Sequence, residues 1–103
     1  RGQITGGVID GPLAFDNAIS PAAAEAKGLK SPVTGYADIL VVPDLEAGNM
    51  LAKELDYLAG AVAAGIVLGA RVPIILTSRA EGKLPRIAAS AIAKLYSVHQ
   101  RGA

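Results

Sequence analysis

The chain has 103 residues, of which 51% are hydrophobic, and a formal net charge of +1. That length is one domain or part of one. Near-neutral charge with scattered cations, and no aromatics interleaved with them, excludes a nucleic-acid stripe or a polybasic membrane surface. With no cysteine, disulfides, thiolate zinc sites and a cysteine nucleophile are excluded, which is compatible with a cytoplasmic location.

The apolar residues are mostly Ala, Val, Ile and Leu, with Phe15 and three tyrosines as the aromatics. This bias fits parallel strands covered by helices. The longest apolar run, Leu58 to Ala70, is 13 residues, short of the roughly 18 needed to span a bilayer. No signal peptide is visible. The sequence opens at Arg1 without an initiator Met, inside strand-like sequence, and reads as a piece of a longer protein.

Ile4 to Ile9 reads as a first strand, weakened by Gly6-Gly7 and ending in the turn Asp10-Gly11-Pro12. Ser20-Pro21 is a helix start, with Ser20 as N-cap and Pro21 at the first helical position. Ala22 to Lys27 continue that helix and Gly28 is placed to stop it. Ala37 to Val42 is expected to be a buried strand. From Ala47 onward, Ala47, Leu51, Leu55, Leu58 and Val62 recur at helical spacing. Ala64 to Leu68 and Val72 to Leu76 read as two further strands. In the last helix, Leu84, Ile87, Ala88, Ala91, Ile92, Leu95 and Val98 are expected to form the buried face. Strand–helix alternation at this pitch predicts an α/β fold with a parallel sheet in α/β/α layers.

Chemistry concentrates at two strand ends. Thr77-Ser78-Arg79 follows the strand at Val72 to Leu76, and in an open α/β sheet the carboxyl ends of strands are where ligands bind. Arginine there offers a planar fork matched to phosphate oxygens. Asp44, Gly48 and Asn49 follow the strand at Ile39 to Val42 in the same way. Each has a plainer use. Ser78-Arg79-Ala80-Glu81 has capping-box spacing, but Gly82 and Pro85 predict that the helix begins near Lys83 to Pro85 and leaves the box outside it. Asp44 has the position of an N-cap, Gly48 of a close-packing residue and Asn49 of a solvent-facing one. Asp38 reads as a solvated carboxylate. His99, near a helix C-terminus, suits the dipole. No carboxylates have metal-ligand spacing, so no metal is expected.

Three blocks, Gly7-Val8-Ile9-Asp10-Gly11-Pro12-Leu13-Ala14-Phe15-Asp16-Asn17-Ala18, Gly35 to Asn49 and Ile74-Ile75-Leu76-Thr77-Ser78-Arg79, resemble the phosphate acetyl/butyryltransferase family in order and spacing. Asp16-Asn17-Ala18 is closer in look to the butyryl branch and to forms fused to an enoyl-CoA-hydratase-like module. The resemblance implies a two-lobed fold like that of isocitrate and isopropylmalate dehydrogenases, with residues 1–103 as its C-terminal segment. It implies acyl transfer between coenzyme A and inorganic phosphate, with coenzyme A as substrate, no permanently bound cofactor, no nucleic-acid or membrane partner and a homo-oligomer of two or more copies. Ser78 and Arg79 match the family's catalytic serine and arginine, while Asp44, Gly48, Asn49 and Thr77 would bind substrate. The family's proposed aspartate base falls several residues after the arginine, where this chain has Lys83, Leu84, Pro85 and Arg86. Glu81 is the nearby carboxylate that could take its place; a base from an N-terminal part preceding this segment, or coenzyme A arriving already ionised, are the other routes. A catalytically silent relative of the kind appended to malic enzymes, and a metal-dependent hydroxyacid dehydrogenase of similar fold, are the alternatives. The absence of a spaced aspartate cluster argues against the second.

Overall fold

The computed structural model describes residues 2–102; Arg1 and Ala103 lie outside the described residues. The chain divides into two units, one reaching Val42 and one starting at Pro43. The content is mixed α/β, in the order α1 (Phe15–Ile19), α2 (Pro21–Ala26), α3 (Leu45–Tyr57), β1 (Gly65–Val67), β2 (Ile74–Leu76) and α4 (Lys83–Gly102).

In the first unit the expected cap is present: Ser20 Oγ accepts the Ala23 N–H and Pro21 opens α2. Gly28 takes φ +65 at the helix end, where an αL residue closes the last turn. Helix α1 carries no side-chain cap and was not legible from sequence. Ala18, Ala24, Asn17 and Thr34 are buried. The loop that follows α2 is tied back by Gly35 N–H to Asn17 O and Ala37 N–H to Ala18 O, at 2.7 and 3.0 Å. Gly35, at φ +84, lies so close to Pro21 that a Cβ there would sit 2.7 Å from Pro21 Cα. Ser31 anchors the same loop: its hydroxyl donates to Asp10 Oδ2 and accepts the amides of Val33 and Thr34. The Ser31 hydroxyl and then the Gly11 amide hold the Asp10 carboxyl below its ordinary value.

Two strand expectations fail in this unit. Residues 4–9 make no ladder, with bends at Ile4, Gly6 and Gly7, and Gly6 takes φ +86, a conformation that breaks an extended run. Ala37 to Val42 forms no ladder, with a bend at Asp38, and it is not buried: Ile39 is 81% and Val41 92% exposed. A strand is stabilised by its neighbours, and no described segment pairs with this one.

In the second unit, β1 and β2 pair antiparallel, Gly65 opposite Leu76 and Val67 opposite Ile74. The expected parallel sheet is therefore corrected. Leu68 to Pro73 is too short to carry a parallel crossover, which takes a dozen residues or more, so the chain turns back as a hairpin. Both strands pack on α4. The helix starts at Lys83 as expected, yet its buried residues are Ala89 and Ala93. The expected face is exposed at Leu84, Ile87, Ile92, Leu95 and Val98. Small alanines let the helix lie close on the short hairpin, and two three-residue strands are too narrow to cover the bulkier stripe as well.

Within the second unit, helix α3 contacts none of β1, β2 and α4 and has no buried residue among those described. It ends at Tyr57, so Val62 falls outside it. Its support is local: Asp44 Oδ1 accepts the Ala47 N–H at 2.8 Å, and the Lys53 ammonium lies 5.8 Å from the Tyr57 ring centroid, a cation–π contact.

Candidate functional site

Strand β2 delivers the chain to Thr77, and a closed turn follows. The Ser78 N–H donates to Glu81 Oε2 at 2.9 Å, and the Glu81 N–H donates to Ser78 O at 3.2 Å. The Ala80 N–H points at Ser78 Oγ at 3.4 Å. The capping-box pair forms, as its spacing allows, two residues ahead of α4. It is half of the reciprocal box, since Glu81 secures the Ser78 amide while Ser78 Oγ faces Ala80. Both Ser78 and Glu81 are half-buried, and Arg79 is exposed at the tip.

This geometry has chemical content. Ser78 Oγ accepts within the turn, so its hydrogen is free to be donated outward to a ligand oxygen. The Arg79 guanidinium, with five donors in a planar fork, stands beside it, and among the described residues no carboxylate is paired to it. Thr77 is exposed next to both.

Just beyond the turn, Glu81, Gly82, Lys83, Arg86, Ile87 and Ser90 line an open concavity of about 560 Å³. Sequence reasoning did not single out Lys83 and Arg86. They occupy the first turn of α4, which has no acidic residue, at the end where the macrodipole favours anions and disfavours cations. Two cations at i and i+3 in a helical first turn, against the dipole, were the available signal. With Arg79 they make this part of the unit positive, a field that attracts anionic ligands.

Asp44, Gly48 and Asn49 form a separate group at the start of α3. Asp44 does what an N-cap does, and the Gly48 N–H donates to its backbone carbonyl at 3.1 Å. Asn49 is exposed. No packing contact joins α3 to β2 or α4, so the structure gathers Thr77, Ser78, Arg79 and Glu81 and leaves these three apart. His99 is exposed in the last turn of α4 with Arg101. Among the described residues no group of three or more His, Cys, Asp or Glu could hold a metal ion, and no helix is long and apolar enough to cross a membrane.

Residues 1–94 match the family model described as phosphate acetyl/butaryl transferase. Among curated proteins, the chain is 66% identical over its whole length to the phosphate acetyltransferase of Rhizobium meliloti, of which it covers 33%. It is 80% identical over 81 residues, 79% of the chain and 23% of the relative, to that of Rickettsia prowazekii (strain Madrid E). To the phosphate butyryltransferase of Clostridium beijerinckii it is 45% identical over 98% of the chain and 33% of the relative. Among solved structures, a branched-chain phosphotransacylase from Enterococcus faecalis V583 superposes with a TM-score of 0.72 at 38% identity, over 82% of this chain and 32% of that one. The chain spans between about a quarter and a third of the length of these proteins.

Proposed function

The chain belongs to the phosphate acetyl/butaryl transferase family, and from that premise we propose that it forms part of an enzyme exchanging an acyl group between coenzyme A and inorganic phosphate. The observation that carries the reading is the turn at residues 78–81, which presents an outward-donating hydroxyl and a free guanidinium together in a positive field.

In the direction of thioester synthesis, the coenzyme A thiolate attacks the carbonyl carbon of the acyl phosphate. A C–S bond forms, the C–O bond to phosphorus breaks, and phosphate leaves with the electron pair. The thiol's proton must go first, because thiolate is the nucleophile and an ordinary thiol has a pKa of about 8.5. Ser78 Oγ donates to the carbonyl oxygen as charge develops there, a contribution that reaches ~3 kcal/mol for one such donor. Arg79 holds the phosphoryl oxygens in its fork. Thr77 adjoins the same substrate, and Asp44, Gly48 and Asn49, which lie apart at the start of α3, would add contacts from a second loop. Neither acetyl nor butyryl is favoured by any residue of the turn, and no cofactor beyond the substrates is invoked.

The relatives' threefold greater length supports placing these residues as the C-terminal segment of one lobe in a two-lobed, dehydrogenase-like fold. The exposed stripe on α4 supports further apolar contacts, either with the remainder of such a protein or with a second copy in a cytoplasmic oligomer.

The test is a chimera in which residues 1–103 replace the matching third of the Rhizobium meliloti enzyme. Acyl-phosphate-dependent loss of free coenzyme A thiol is followed with acetyl and with butyryl phosphate. Turnover that depends on Ser78 and Arg79 is expected. A folded chimera without turnover would favour the silent-relative alternative.

A further inference from the structure

We propose that Glu81 is a positioning residue that holds Ser78 and Arg79 in place, and that the proton of the coenzyme A thiol is taken by a group outside this turn. The inference rests on the acyl-transfer reading for its consequence but on the turn's own geometry for its substance.

Glu81 is the single carboxylate in the stretch from Thr77 to Ala103. One of its oxygens is committed: Oε2 accepts the Ser78 N–H at 2.9 Å. The backbone closes the same ring from the other side, with the Glu81 N–H on Ser78 O. Without the carboxylate, the Ser78 amide has no other acceptor among the hydrogen bonds of the turn. Strand β2 has already ended at Leu76, so no ladder holds residue 78. The α4 ladder starts only at Lys83. The four residues between Thr77 and Gly82 are therefore fixed by their own bonds, and the charged acceptor makes the strongest of them.

The bond sets two directions at once. It fixes the peptide plane before Ser78, and so where Oγ projects. With Oγ accepting the Ala80 amide at 3.4 Å, the hydroxyl hydrogen has no acceptor among the hydrogen bonds of the turn and is left to a ligand oxygen. Arg79 lies between the two clamped residues, so its Cα position follows from the same closure. A carboxylate used in this way orients the donors. Accepting a proton at either carboxylate oxygen would remove the charge and weaken the bond that keeps Ser78 aimed.

Glutamine separates the two roles, because its amide oxygen still accepts the Ser78 N–H but does not serve as a base. Two readouts are taken. On the chain itself, exchange of the Ser78 amide is measured by NMR for the parent, Glu81→Gln and Glu81→Ala. In the chimera, kcat, KM and the pH profile are measured for the same variants beside Ser78→Ala. Positioning predicts near-parental Ser78 exchange and near-parental kcat for Glu81→Gln, with an unmoved pH profile. For Glu81→Ala it predicts Ser78 exchange faster by about tenfold and a kcat lower by about tenfold with KM little changed. Unchanged Ser78 exchange in Glu81→Ala overturns the clamp. Normal Ser78 exchange in Glu81→Gln together with a rate as low as that of Glu81→Ala overturns the exclusion of Glu81 as base. A parent chimera without activity, or a fully active Ser78→Ala, refutes the acyl-transfer reading instead, and the exchange measurement still decides the clamp.

Discussion

Gly65→Ala is expected to impair catalysis from across the hairpin. Gly65 pairs with Leu76, two residues before Ser78, and a Cβ at position 65 would meet the Leu76 carbonyl oxygen at 2.6 Å. The obstacle is backbone, so no side-chain rotation relieves it. Restoring ordinary contact moves that carbonyl from 2.6 to about 3.4 Å, a displacement of about 0.8 Å. Overpacking of this kind costs ~1–3 kcal/mol. Misplacing reacting groups by about 1 Å costs ~100-fold in rate, so a shift of this size passed on to Ser78 and Arg79 predicts a kcat lower by ~30- to 100-fold. Gly69→Ala is the control: it strains a positive φ of +87 but meets nothing within 4 Å. It should lose a comparable ~1–2 kcal/mol with little loss of rate. Both variants are made in the chimera, with stability from urea denaturation and kcat from thiol loss. A Gly65→Ala variant within about threefold of the parent rate would show that the hairpin does not transmit displacement to the turn.

Arg79→Lys should abolish most turnover although charge is kept, since a point charge does not reproduce a bidentate fork; parent-like kcat/KM would remove Arg79 from the site. Asp44→Ala should destabilise α3 by ~1 kcal/mol, and because short helices without tertiary partners are marginal, Cα chemical shifts over residues 45–57 should move toward coil. Unmoved shifts would mean that α3 does not depend on its cap. Ser31→Ala should raise the Asp10 pKa toward 3.8 by removing the first cause of its depression, as read from the carboxyl carbon shift against pH. Because the folded value is lowered, Asp10 contributes fully above 3.8, and its contribution is lost as pH falls through the depressed pKa. In Ser31→Ala that contribution should shrink and its acid-side loss should be complete at a higher pH, and a titration identical to the parent's would refute the assignment.

The features legible in the sequence were those decided within a few residues. Ser20 and Asp44 cap as their spacing predicts, and the Ser78–Glu81 pair closes ahead of a helix that begins at Lys83. What failed depends on partners distant in sequence. Periodicity favoured the large residues of α4 as its buried face, but the helix packs on the hairpin with Ala89 and Ala93 as its buried residues. An apolar run does not state whether a neighbouring strand exists, so Ala37 to Val42 looked buried and is not. The antiparallel pairing was available from the connection length, which composition-based reasoning overrode. The candidate site was legible as Thr77, Ser78, Arg79 and Glu81. Lys83 and Arg86 were not, because cations in a helix read as solvated until their place in the first turn is known.

The unpaired segment Ile39-Leu40-Val41-Val42 bears on how this chain behaves at high concentration. Its amides and carbonyls have no ladder partner and its side chains are exposed, the combination that templates strand addition between molecules. The window is four uncharged β-formers long, shorter than the five- to seven-residue stretches that aggregate most readily. Asp38 limits it on one side by charge, and Pro43 on the other by lacking an amide hydrogen. These two residues act as gatekeepers of solubility: each stops the exposed run from lengthening into a seed for fibrils.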